Sequence, residues 1–158
     1  METAEQLASR FREVTLNGTW IANTNFKMAL SDVTFKQATT KISNLNTIGV
    51  LTFHIHYYIA GLIEAFETGQ LSIKDSFSFD MKSPFQQEDW QELKVGFFND
   101  AERLAVLIAD LPENILNETF IDIRYGTYRR NIEAMIEHSY YHLGQVIMLK
   151  KLIGSNIL

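Results

Sequence analysis

The chain has 158 residues, 46% of them apolar and 21% charged, with a formal net charge of -5 and no cysteine. That length fits one domain spanning residues 1–158 with a buried core. The acidic balance speaks against broad, salt-driven nucleic-acid binding, and the lack of cysteine excludes disulfides, thiolate metal sites and cysteine nucleophiles. The N-terminus lacks the basic and apolar regions of a signal peptide. No apolar run approaches the roughly 20 residues of a membrane span. A cytoplasmic protein without a membrane segment is the expectation.

Leu7, Phe11, Val14, Ile21 and Met28 follow helical spacing and predict a first helix from Thr3 to about Leu30. Asn17-Gly18 could form a turn, but the periodicity continues past it, so one helix with a kink is expected. Residues 31–46 read as a connection with a short helical turn near Asp32 to Gln37. Asn46-Thr47 can cap a second helix running to Thr68, with Gly69 as its left-handed stop. Residues 70–87 carry little helical pattern, closing at Ser83-Pro84, and a connection this long is often functional. A third helix is expected from Gln87 to Asp110, before Leu111-Pro112. Residues 113–130 are irregular, with a short extended piece from Thr119 and a turn at Tyr125-Gly126. The fourth helix starts near Thr127 and reaches Ile153, with Lys150 and Lys151 suiting the negative end of its dipole and Gly154 as a stop. Four long helices and three long connections predict an all-α four-helix bundle with crossovers.

Two of the four histidines, His138 and His142, stand one turn apart on the fourth helix. Residues four apart share a helix face, so both imidazoles can reach one metal at about 2.0–2.1 Å. The other two, His54 and His56, lie on the second helix and diverge by about 200°, so one of them at most can complete that site. His54 lies nearer the stripe of Leu51, Ile55 and Tyr58. Other motifs fail. The segment His138-Ser-Tyr-Tyr-His142 lacks the glutamate of H-E-x-x-H zinc proteases. Met135 and Ser139 stand where the di-iron Glu-x-x-His pattern needs glutamate. There is no G-x-S-x-G elbow and no glycine-rich phosphate loop. Gln145, one turn beyond His142, and Glu64, Glu133 and Glu137 are candidates to support the site.

The segment Ile136 to Lys151, IEHSYYHLGQVIMLKK, resembles the last-helix signature of the DinB-like superfamily. Asn46 to Ile55, NTIGVLTFHI, is similar to that family's second-helix segment, and Asn17-Gly-Thr-Trp resembles its first-helix segment more weakly. The resemblance implies a four-helix bundle holding a divalent metal (zinc, nickel, iron or manganese) on His54, His138 and His142. It implies thiol-dependent transfer or metal-dependent hydrolysis on a small-molecule substrate, such as a low-molecular-weight thiol. The alternative is a metal-binding or stress-response bundle without catalysis. Trp20, Phe77, Phe79, Trp90, Phe97 and Phe98 are more large aromatics than one core comfortably hides, and a homodimer is expected from them.

Overall fold

A computed structural model describes residues 2–83 and 85–154. Among them the protein is all-helical, with six α-helices: α1 (Ala4–Arg12), α2 (Phe26–Leu30), α3 (Phe35–Thr39), α4 (Ile48–Thr68), α5 (Gln87–Ala109) and α6 (Tyr128–Gly154). The expected closure of the long connection at Ser83-Pro84 falls partly outside the described residues, and Gly154 is the last of them.

The three longest helices begin and end where local chemistry puts them. Thr47 Oγ1 accepts the Val50 amide at the start of α4, and Gly69 ends it at φ 71°. There a left-handed residue satisfies the Ala65 carbonyl at no steric cost. At the start of α5 the Asp89 carboxylate accepts the Gln86 amide at 2.8 Å. On α6, Lys150 Nζ donates to the Ala29 carbonyl at 2.6 Å and pairs with Asp32, which ties the helix to the end of α2.

The expected first helix does not run to Leu30. It stops as α1, widens into a π-type turn over Glu13–Asn17, and the chain becomes extended at Gly18, with φ -94° and ψ 160°. The reason is steric and polar together. Any Cβ at Gly18 would fall 2.0 Å from Glu13 Cγ. Asn25 donates to the Gly18 carbonyl at 2.7 Å, and its side chain also caps α2. Ala22 and Asn23 take positive φ between them. The apolar residues that prolonged the helical pattern, Ile21 and Met28, are about half exposed. The short helix expected near Asp32 to Gln37 forms slightly later, as α3, behind a reciprocal Thr34–Gln37 cap.

α4 packs between α5 and α6, and α1 packs on the same two helices. Their shared core contains Leu7, Phe11, Ile48, Ile55, Phe97, Leu104, Ile132 and Val146. By length and composition alone α4 could cross a membrane, contrary to the expectation from sequence, but most of it is buried within the protein. Trp90 and Phe97 are fully buried, and Trp90 Nε1 donates to the Val33 carbonyl at 3.0 Å. Phe98 packs against the core. Of the aromatics expected in excess, only Trp20, Phe77 and Phe79 stay exposed.

Residues 71–79 fold back over α4. Tyr57 Oη donates to the Lys74 carbonyl and accepts its amide, and Tyr58 Oη donates to Asp75 Oδ1 at 2.9 Å. A 3-10 turn, Asp75–Phe77, sits between these anchors and the buried Ser78. Ile73 lies over Gly61 of α4, where any Cβ would run into Ile73 Cδ1. Gly61→Val should therefore dislodge this loop and destabilise the fold by about 1–3 kcal/mol, read by urea unfolding. Adding Ile73→Ala should recover part of the loss; a Gly61→Val variant as stable as the parent would contradict this seat.

Candidate metal centre

α4 and α6 meet at three imidazoles. His138 and His142 project from one face of α6, and His54 faces them from α4. The ring centroids form a near-equilateral triangle, with separations of 5.0, 4.7 and 4.6 Å. One ligand nitrogen from each ring lies within 4.8 Å of the others. His54 and His142 are buried, and His138 is half-buried. His56 is not part of the cluster. It points to α5, where Nε2 lies 2.7 Å from Asp100 Oδ2 and its ring edge touches Gly96.

The hydrogen bonds fix which nitrogens are free. The Ser78 carbonyl can only accept, so His54 donates to it from Nδ1–H at 3.1 Å. In the neutral ring, Nε2 then carries the lone pair. The same logic applies to His142, whose Nδ1–H donates to Gln145 Oε1 at 2.7 Å. His54 Nε2 faces His138 Nε2 at 3.1 Å. Two nitrogens bound tetrahedrally to one ion at about 2.0–2.1 Å stand about 3.3–3.4 Å apart, so this spacing already approximates that of two ligands.

Burial keeps the cluster uncharged. It lowers the pKa of His54 against a smaller upward push from the Ser78 hydrogen bond and Asp75. Burial also lowers His142, helped by His54 and opposed by Gln145. His138 is pushed down to about 4, by burial first and then by repulsion from His142 and His54. Neutral imidazole is the form that binds metal, so three soft-to-borderline nitrogen donors are ready near neutral pH without displacing protons.

The surroundings are aromatic. Phe79 stacks on His54 at 3.9 Å with the planes 10° apart. Tyr58 stands edge-on to both His54 and His138, and Tyr141 to His142. Burial raises the Tyr58 pKa, so its hydroxyl remains a donor to Asp75. His138 also lines a cleft of about 500 Å³ that runs between α4, the 70–75 segment and α6.

Among the supporting residues expected from sequence, Gln145 holds the far nitrogen of His142 rather than approaching the face between the rings. Glu64 binds Ser72, and Glu137 pairs with Arg130, so both are engaged elsewhere. Sequence reasoning missed Ser78, Phe79 and the Tyr58–Asp75 pair as parts of the site. Only the length of their loop hinted at a role.

The pH dependence follows from the lowered pKa values. The unfolded chain protonates His138 near its ordinary 6.5, the folded one only near about 4. In metal-free protein, stability is therefore full above about pH 6.5 and falls as the pH drops towards 4. Urea unfolding at pH 7 and pH 5 should show this loss, and His138→Gln should reduce it. An identical pH slope in both proteins would contradict the neutral, buried cluster.

No family model, no curated protein and no solved structure matches this chain.

Proposed function

We propose that the protein is a DinB-like four-helix bundle acting as a metal-dependent enzyme, with a divalent ion on His54, His138 and His142. The observation that carries the metal site is the facing pair of Nε2 atoms at 3.1 Å. Two lone pairs directed at one another repel unless a proton or a cation lies between them. The third imidazole, fixed by Gln145 with Nε2 free, makes a cation the better fit. The bundle reading is supported by the reciprocal packing of α1 and α4 on α5 and α6, and by the long connections between these helices. The DinB-like reading is supported by the signature over Ile136 to Lys151, which carries His138 and His142, and by the segment Asn46 to Ile55, which carries His54.

Three neutral imidazoles leave an ion with its full positive charge and room for a further ligand, which suits activation of water or of a thiol. The chain's own residues do the rest. Ser78 and Gln145 lock the tautomers of His54 and His142. Such outer partners orient ligands and raise their basicity. Phe79 and Tyr141 shield two of the rings from water. The reaction class we propose is thiol-dependent transfer or hydrolysis of a small-molecule substrate, carried out in the cytoplasm by a homodimer. Light scattering showing only monomer at micromolar concentration would overturn the dimer.

A second reading has one observation behind it. The groups hydrogen-bonded to Nδ1 of His54 and His142 are a carbonyl and an amide, and neither can transfer a proton. A metal-stabilised bundle without catalysis would look the same. A screen of thiol transfer and hydrolysis with the wild type and His142→Ala separates the two, since activity that depends on His142 rejects the non-catalytic reading.

Metal binding is tested directly by elemental analysis and calorimetry on untagged protein. One ion per chain is expected. His54→Ala should weaken affinity by about a hundredfold or more and Gln145→Leu by about 10–100-fold. His56→Ala should leave affinity unchanged and cost at most about 1 kcal/mol of stability. No uptake of zinc, nickel, iron or manganese would overturn the site.

A further inference from the structure

The three imidazoles are not equally accessible. His54 lies under Phe79 and His142 is flanked by Tyr141 and Gln145; both are nearly fully buried. His138 is half-buried, and it lines the cleft of about 500 Å³, whose lining includes neither His54 nor His142. A second cleft of similar size reaches Tyr141 and Gln145 but none of the histidines. A ligand that meets the triad therefore comes over His138.

The cleft beyond His138 has the volume of a small-molecule site. Leu62, Leu71, Ile73, Phe120 and Met135 give it a largely apolar lining, to which Tyr58, Lys74, Asp75, Tyr125 and Asn131 add polar groups. Those walls are well supported. Phe120 and Met135 belong to the buried core, and Ile73 is seated against Gly61. The site thus joins a cation-holding end to an apolar trough.

Resting on the metal-centre reading above, we propose that this cleft is the substrate site. It takes ligands with an anionic metal-binding head, a thiolate or an equivalent acid, and an apolar tail. The head lies beside His138 and the tail runs towards Phe120.

The test uses the full chain loaded with zinc, and straight-chain hydroxamic acids from acetohydroxamate to octanohydroxamate as probes. Zinc content is measured first. Calorimetry should then show affinity rising about fourfold per added methylene until the trough is filled. Zinc-free protein should show no such series. Ala134 lines the same cleft. Ala134→Phe should keep zinc and acetohydroxamate binding, and should weaken octanohydroxamate by about tenfold or more. Leu71→Asn, in the surface loop, is the second variant should Ala134→Phe fail to fold, and it should flatten the series. Zinc binding with a flat series, or a series unchanged in both variants, overturns this inference and leaves the metal centre standing. A series that persists without zinc overturns it as well. Failure to take up zinc overturns both.

Discussion

Two imidazole nitrogens facing each other across 3.1 Å set the terms for the rest of this molecule. Such a contact needs a proton or a cation between the nitrogens, and it needs the two rings to be held in place. α4 and α6 supply the holding. Each is long and capped or anchored at an end remote from the histidines, so the helix axes are fixed by the core rather than by the site. The rings then inherit their spacing from helix packing, which is how bundle cores build metal sites from facing side chains.

The loop after α4 is the second support. Tyr57 and Tyr58 grip it from below, Ile73 fills the notch at Gly61, and Ser78 and Phe79 close over His54. Helix, loop and site are therefore mechanically one unit. The same loop supplies a wall of the cleft beside His138, so access and tautomer control come from one segment.

What the sequence revealed was local. Thr47 and Gly69 bracket α4 because a hydroxyl cap and a left-handed glycine are chemical signals readable at single positions. The His138/His142 pair is readable because four residues is one helical turn. Helix phase admitted only one of His54 and His56; the nearby stripe of Leu51, Ile55 and Tyr58 and the family resemblance favoured His54, and the structure turns His56 to Asp100. The break at Gly18 was misread because Ile21 and Met28 kept the apolar spacing, although both end up half exposed. What decided it was a side-chain bond from seven residues on, Asn25 to the Gly18 carbonyl, together with the crowding of Glu13. Ser78 acts through a carbonyl that every residue possesses, so no residue type could announce it. Phe79 was noted only as one aromatic among many.

That carbonyl has a consequence for how the site tolerates change. A side-chain acceptor, such as Gln145 for His142, is lost by a single substitution. The acceptor for His54 belongs to the main chain and survives any replacement of Ser78 that fits its buried position. The hydroxyl at position 78 serves the Asp75 carbonyl rather than His54, for which only the path of the backbone through that position matters. Selection on His54 would be recorded in the seating of residues 71–79, with Gly61 and the two tyrosines as its trace, rather than in the identity of the residue that makes the bond.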